Sequence, residues 1–213
     1  ELSAALIESG QIKNALIVSG ENGGPLLLET IKFLNTDESL TRKGIKKYIA
    51  NLTIGSAAVA ILLTHKDETN STNELLASQS LADTSANILC QGNGNTNTLM
   101  METQSEEMLQ AGVNLAQENW KRLSRELDWS SASINKVITH QVGVAHRNLL
   151  FEKLYLDRSK DFSSFEHLGN TGSAALPITM MFAHENGFLK TADEVALLGI
   201  GSGLNSTMMG VKW

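Results

Sequence analysis

The sequence is poor in the residues that mark secreted or nucleic-acid-binding proteins. Its 213 residues include one cysteine and two prolines, and only 5% are aromatic. A single cysteine excludes an internal disulfide, and a reducing cytoplasm is the default compartment for such a chain. The 23 acidic residues outnumber the 17 basic ones, and the resulting net charge of −6 argues against nucleic acid as the main partner.

Long hydrophobic runs and several catalytic motifs are also absent. No apolar stretch reaches the roughly 18 residues that a membrane-crossing helix needs. There is no P-loop, Gly-x-Ser-x-Gly, His-Glu-x-x-His or Cys-x-x-Cys motif, and we place His140 and His146 on different helix faces. We therefore expect neither a membrane partner nor a bound metal. With 42% hydrophobic residues, the chain can still bury a substantial core.

Apolar strand-like runs alternate with helical patterns along the chain. Strands are predicted at residues 14–21, 52–64, 194–199 and 204–213, with one or two more within 74–91. Helices are predicted at residues 1–10, 26–34, 102–127 and 173–186, and a loop rich in Asn, Gly and Thr at 91–98. The run at 14–21 is typical of a strand buried on both faces. The fold class is therefore α/β, and the polar run 65–73 is the best candidate for a boundary between the halves 1–64 and 65–213.

The chain begins inside a helical pattern. Residues 1–10 end in Gly10, a residue type common just beyond a helix, but no initiator methionine and no capping residue precede the first apolar position. Isolated helices shorter than about 12–15 residues are rarely stable. We expect the helix to continue upstream of Glu1 in a longer protein. The alternative is a processed start with a short docked helix.

The most informative stretch is a polar corner around His140. A buried strand ends at Ile138, Thr139-His140-Gln141 follows, and a helical pattern then comprises Val142, Ala145, Leu149 and Leu150. Ligands of open α/β sheets bind beyond the carboxyl ends of strands. A second polar corner, with Asn170, precedes another helix about thirty residues later. The imidazole and the carboxamide can converge on one small site.

A glycine-rich turn, Gly199-x-Gly201-x-Gly203, precedes the last predicted strand. Only ten residues follow Gly203, which excludes a dinucleotide-binding unit. Two interpretations remain open. The glycines either form a tight turn or expose backbone N–H groups that stabilise an oxyanion on a substrate.

Residues 139–141, 167–175 and 199–205, in this order and spacing, resemble the C-terminal half of the thiolase-fold condensing enzymes. The likeness is greatest to the β-ketoacyl-acyl-carrier-protein synthase III group, and within it to the acyl-CoA condensing enzymes of long-chain olefin biosynthesis, as residues 39–56 also indicate. The resemblance implies a layered αβαβα fold with mixed sheets, present here as the C-terminal half plus the end of the N-terminal half. It further implies a cytoplasmic homodimer that condenses acyl-CoA or acyl-carrier-protein thioesters through a cysteine acyl-enzyme, with no cofactor besides coenzyme A or phosphopantetheine thioesters as substrates.

The resemblance also assigns roles to individual residues. His140 and Asn170 would be catalytic, stabilising the enolate of the second thioester, and the backbone of Ser202, with Gly201 and Gly203, would form an oxyanion hole. The nucleophilic cysteine would lie roughly eight residues before Glu1, so that this chain alone would be inactive. Where many members have His-Gln-Ala-Asn, this chain has glycine at position 143, so any role of that asparagine is lost.

Several alternatives stand beside this interpretation. Cys90 ends an apolar run before a loop, without the cation or helix start that activates a thiol, so we expect an inert residue. The basic cluster 41–47 is either a landing site for substrate phosphates or a solvated loop. His140 and Asn170 can be a buried histidine and a turn residue without catalytic function. A non-catalytic thiolase-fold subunit, or an acyl-binding partner without a nucleophile, is the competing functional hypothesis, although such a scaffold needs neither residue.

Overall fold

The computed structural model describes residues 1–94 and 99–213. Residues 95–98 of the predicted loop lie outside the described residues. The elements are α1 (Leu2–Glu8), β1 (Asn14–Asn22), α2 (Gly24–Thr36), α3 (Arg42–Ile45), β2 (Ser56–Thr64), β3 (Glu74–Ala82), β4 (Cys90–Gly92), β5 (Met101–Thr103), α4 (Ser105–Glu126), β6 (Lys136–Thr139), α5 (Val144–Leu154), β7 (Asp161–Phe162), α6 (Phe165–Leu168), α7 (Ala175–Glu185), β8 (Glu194–Gly201) and β9 (Asn205–Lys212). Single 3-10 segments at Lys46–Thr53 and Thr84–Leu89 precede β2 and β4.

A five-stranded mixed sheet forms the centre of the molecule, in the order β3-β9-β8-β6-β7. Strand β6 is parallel to β7 and β8, whereas β9 is antiparallel to β8 and β3. Alternate side chains of β6 and β8 enter two separate clusters: Val137, Ala196 and Leu198 pack with α4 and α5, and Ile138, Val195 and Leu197 pack with α7. The sheet is therefore covered by helices on both faces, as the predicted α/β class requires.

The long helix α4 confirms the helix predicted at residues 102–127. Its stripe buries Val113, Ala116, Trp120 and Leu123 against the sheet. The buried Asn119 on the same helix donates to the carbonyl oxygens of Gln79 and Ser206, each at 3.0 Å. These two bonds join α4 to strands β3 and β9, so the stripe serves core packing.

Strands β1 and β2 form a separate antiparallel pair, and one prediction about them is wrong. Leu16 and Val18 of β1 are about two-thirds exposed, at 66 and 68%, although the apolar run 14–21 predicts burial on both faces, and Leu62 of β2 is 67% exposed. In the described chain β1 pairs with β2 alone, so no further strand or layer covers these side chains. Strand β2 also starts at Ser56 rather than at residue 52, because residues 46–53 form a 3-10 helix.

The end of the first helix at Gly10 is confirmed. Gly10 follows α1 with a φ of +73°, and its backbone N–H donates to the carbonyl oxygen of Ile7, as expected of a residue just beyond a helix.

Among the residues described, no helix combines the length and apolarity needed to cross a membrane.

Candidate active site

The three predicted site segments leave the same edge of the central sheet. Because β7, β6 and β8 are mutually parallel in the order β7-β6-β8, their carboxyl ends lie side by side. His140 follows β6, the segment 163–170 follows β7, and the turn at Gly201 follows β8. The topology thus supplies the common location that the sequence motifs predict.

His140 lies in a narrow crevice at this edge. The crevice is lined by the β6–α5 corner, by Arg147 and by Phe165 from the neighbouring segment. The imidazole forms no hydrogen bond with any described residue, and it is not among the buried, unpartnered polar groups of the described chain. Burial, and secondarily the charge of His146, lower the pKa of His140 to about 4. The ring is therefore neutral at pH 7 and offers one N–H donor and one acceptor.

His146 lies near the site, on the buried side of α5, where the sequence pattern does not predict it. The helical pattern puts Val142 and Ala145 on the buried side, but α5 begins only at Val144, and Ala145 is exposed. The buried side carries His146 and Leu154 together with the predicted Leu150, at spacings of four residues. Burial lowers the pKa of His146 to about 4, so this imidazole is also neutral at pH 7. The four-residue repeat was the signal that could have revealed this side.

Asn170 is held by hydrogen bonds that fix the direction of its carboxamide. Its backbone N–H donates to Thr53 and its carbonyl oxygen accepts from Gly55, both at 2.8 Å. The side-chain oxygen accepts from the backbone N–H of Gly172 at 3.0 Å. Since a backbone N–H only donates, the oxygen must point to Gly172, and the NH₂ group is the free end of the amide. No described residue accepts a hydrogen bond from that NH₂ group.

Two glycines allow the close approach that these bonds need. A Cβ atom at Gly55 would overlap the carbonyl oxygen of Leu168, and one at Gly169 would overlap that of Thr53. Gly169 also has a φ of +66°, which L-residues with side chains rarely adopt. Gly55 therefore allows a close backbone approach, and its partner is the segment that carries Asn170.

The glycine turn connects β8 to β9 as a hairpin. Gly201 pairs with Asn205, and the far side of the turn is fixed by two backbone hydrogen bonds between Leu204 and Asp83, at 2.8 and 3.0 Å. The exposed Ser202 finds no acceptor for its backbone N–H in the described part of the chain. The turn into the last strand is confirmed, and the free N–H is compatible with the oxyanion role. Neither this turn nor Asn170 lines the crevice at His140.

Arg147, which lines the crevice, belongs to a partly buried charge cluster. The Nε of Arg147 lies 3.2 Å from Oδ2 of Asp161, and its Nη1 lies 3.5 Å from Oε1 of Glu166. The Asp161 side chain is only 4% exposed, and burial raises its pKa to about 6 despite the opposing charges of Arg147 and Arg158. Sequence patterns give no signal for this cluster, because its members come from separate elements.

The remaining candidates lie elsewhere. Cys90 starts β4 in a separate two-stranded sheet, where its Sγ lies 3.5 Å from Oγ1 of Thr103. In the basic cluster, Lys46 pairs with Glu106 at 3.2 Å and Lys47 with Glu102 at 2.7 Å, which favours the solvated-loop interpretation. Within residues 1–94 and 99–213, no group of three or more His, Cys, Asp or Glu side chains is arranged to hold a metal ion.

Comparison with known proteins identifies relatives of the whole chain. Residues 124–213 match the family model of the 3-oxoacyl-[acyl-carrier-protein] synthase III C-terminal domain. The acyl-CoA:acyl-CoA alkyltransferase of Shewanella oneidensis is 36% identical over 215 residues, which cover 97% of this chain and 61% of that protein. The corresponding protein of Xanthomonas campestris is 30% identical over 213 residues and is covered to 62%. The chain thus spans about three-fifths of the length of these relatives.

Solved structures show that the fold of this chain is shared with known proteins. A crystal structure of Xanthomonas campestris OleA with bound cerulenin superposes on all of this chain with a TM-score of 0.92 and 30% sequence identity. The chain covers 60% of that structure. The predicted thiolase-like fold with mixed sheets is confirmed.

Proposed function

We propose that this chain, which belongs to the thiolase-fold condensing enzymes of the 3-oxoacyl-[acyl-carrier-protein] synthase III group, takes part in a Claisen condensation of acyl thioesters. The complete protein would be an acyltransferase that forms a β-ketoacyl product through a cysteine acyl-enzyme. The cysteine would lie upstream of Glu1. Its thiolate attacks the first thioester and expels the carrier as a thiolate, which takes up the proton that the second thioester loses from its α-carbon. The resulting enolate carbon then attacks the acyl-enzyme carbonyl and displaces the cysteine thiolate.

Negative charge develops on oxygen twice in this reaction, and the site offers a neutral donor set for each event. The first charge arises on the oxygen of the tetrahedral intermediate of the acyl transfer, to which the free N–H of Ser202, in the turn Gly201–Gly203, would donate. The second arises on the enolate oxygen, where the neutral imidazole of His140 and the free NH₂ of Asn170 would donate. Removing one such donor costs about 10²–10³ in turnover in measured enzymes.

One observation carries this proposal. Three parallel strands end at one edge of the sheet, and each is followed by one of the three segments that present an uncommitted hydrogen-bond donor. A scaffold without catalytic function has no need of three unsatisfied donors at a single edge. This arrangement therefore favours the enzyme over the alternative of a non-catalytic subunit or acyl-binding partner.

The nature of the acceptor is proposed from the relatives. The two most similar of the relatives described above are acyl-CoA:acyl-CoA alkyltransferases, and a variant of Xanthomonas OleA has been solved with lauric acid and lauroyl-CoA. We favour acyl-CoA over acyl-carrier protein as both donor and acceptor. Coenzyme A and phosphopantetheine thioesters enter as substrates, without a separate cofactor. A cytoplasmic homodimer remains part of the proposal, with neither membrane nor nucleic acid as a partner.

Release of free CoA by the complete protein tests the proposal. The protein is incubated with one long-chain acyl-CoA, with and without malonyl-carrier protein, and free thiol and β-ketoacyl product are measured. CoA and product from the acyl-CoA alone support the acyl-CoA acceptor. Product that depends on malonyl-carrier protein supports a carrier-protein acceptor. No product under either condition would contradict the condensing function, as would a residue other than cysteine at the upstream position.

A further inference from the structure

We propose that Gln141 is a positioning residue for the condensation, through a hydrogen-bond connection that fixes the Asn170 segment relative to His140. This inference rests on the proposed function, because it explains how the enolate donors keep their spacing. Gln141 directly follows His140 in the chain, and it is 2% exposed although it is polar.

The two ends of the Gln141 amide are bound to groups of opposite polarity. Its Nε2 donates to the carbonyl oxygen of Thr139 at 2.8 Å, and its Oε1 accepts from the backbone N–H of Phe165 at 3.2 Å. A carbonyl can only accept and a backbone N–H can only donate, so the amide has one allowed orientation. The Ser163 hydroxyl, 3.0 Å from the same Oε1, adds a second bond to the facing segment. Gln141 therefore joins the end of β6 to the segment after β7.

The connection continues from Phe165 to Asn170. The carbonyl oxygen of Phe165 accepts from the N–H of Gly169 at 2.9 Å, across the single turn of α6. Asn170 is the next residue, and its own backbone is bound to Thr53 and Gly55 on the opposite side. Hydrogen bonds thus hold the Asn170 backbone on two sides. On the side toward His140, these bonds run through Phe165 and Gln141.

Positional errors at a reacting centre affect rate strongly, since a displacement of about 1 Å can reduce turnover by up to about 10²-fold. Phe165 also lines the crevice at His140, so losing its bond to Gln141 would alter the crevice and the Asn170 segment together. A role in folding alone predicts a different result. Such a role would lower stability without selecting the condensation step.

The experiment uses the complete protein with Gln141→Met, which keeps the side-chain length and removes both polar ends. Acylation by one acyl-CoA is measured as the burst of released CoA, and condensation as β-ketoacyl product per enzyme. We expect acylation within about twofold of wild type and condensation lowered by about 10–10²-fold. Gln117→Met is the matched control, because Gln117 is half-buried and bonds to the carbonyl of Lys153, away from the site. It should leave both steps unchanged.

A double-mutant cycle with Asn170→Ala separates positioning from general damage. If Gln141 acts through Asn170, Gln141→Met lowers condensation by no more than about twofold when Asn170 is already absent. Full multiplication of the two effects, or an equal loss of acylation, would overturn the inference. If Gln141→Met does not fold, Ser163→Ala takes its place in the same cycle with the same criteria. Failure of the proposed function itself looks different, since the wild-type protein would then form no β-ketoacyl product.

Discussion

The backbone N–H of His140 donates to the carbonyl oxygen of Leu198 at 2.9 Å. This bond extends the parallel pairing of β6 and β8 by one residue beyond Thr139, the last residue of β6. The histidine therefore leaves the sheet directly beside the strand that reaches the turn at Gly201 three residues later. One backbone bond thus relates the proposed enolate site to the proposed oxyanion hole.

Asn170→Ala and Asn170→Asp should both lower condensation by about 10²–10³-fold. The aspartate keeps an oxygen for the N–H of Gly172 but lacks the NH₂ group, so it isolates the donor from the turn geometry. Steady-state product formation measures the effect. Wild-type turnover in the Asn170→Asp variant would remove the NH₂ group from the mechanism.

Gly55→Ala should lower both stability and condensation. The added methyl group would overlap the carbonyl oxygen of Leu168, so the segment before Asn170 must move. Gly20→Ala on β1 is the control, because the nearest heavy atom to its Cβ would be 4.0 Å away. Thermal unfolding and product formation measure the two effects. Equal unfolding temperatures and equal product formation in the two variants would show that the close approach at Gly55 affects neither stability nor condensation.

Stability should fall on acidification from pH 7 to pH 5. His140 and His146 have folded pKa values of about 4 against an ordinary 6.5, so the unfolded chain binds up to two more protons in this range. Asp161 acts in the opposite direction, because its folded pKa of about 6 lies above its ordinary 3.8. At most about one net proton is therefore taken up on unfolding between pH 4 and pH 6.

The His146→Gln variant provides a sharper form of this pH prediction. It removes one histidine contribution, so the opposite contributions of His140 and Asp161 to proton uptake cancel. These two groups then leave the free energy of unfolding nearly independent of pH between about 4 and 6. Urea unfolding at several pH values measures the difference between wild type and variant. An unchanged pH slope would show that His146 is not buried in its neutral form.

Lys160→Met should lower the unfolding free energy by about 1–3 kcal/mol. The Lys160 ammonium donates to the carbonyl oxygens of Ser131, Ala132 and Ile134, at 2.8, 3.3 and 2.6 Å, and so closes the loop before β6. Methionine leaves these carbonyls without that donor. Lys121→Met on the exposed side of α4 is the matched control and should change stability little. Equal unfolding midpoints for the two variants would contradict this role of Lys160.

Elements with strong periodicity were predictable from the sequence, and contacts between distant segments were not. The α4 stripe and the last two strands follow from local apolar patterns, because each depends on neighbouring residues only. The predicted burial of both faces of β1 is wrong, because an apolar run does not show which other element would cover it.

In the site, too, local motifs were predictable and contacts between distant segments were not. His140, Asn170 and the glycine turn follow from motifs at strand ends. The bond from Gln141 to Phe165 joins residues 24 apart, and the ion pair between Arg147 and Asp161 joins different elements, so neither has a local signature. The predicted start of α5 is two residues too early, and the predicted pattern puts Val142 and Ala145 in place of His146, whereas its Leu149 and Leu150 do pack in the core.

The most direct test of the account is a single-turnover measurement on the complete protein with His140→Ala. We expect one equivalent of CoA to be released as the acyl-enzyme forms, because acylation does not need the enolate donor, and no β-ketoacyl product to follow. Equal loss of acylation and condensation, or undiminished product, would contradict the assignment of His140 to the enolate.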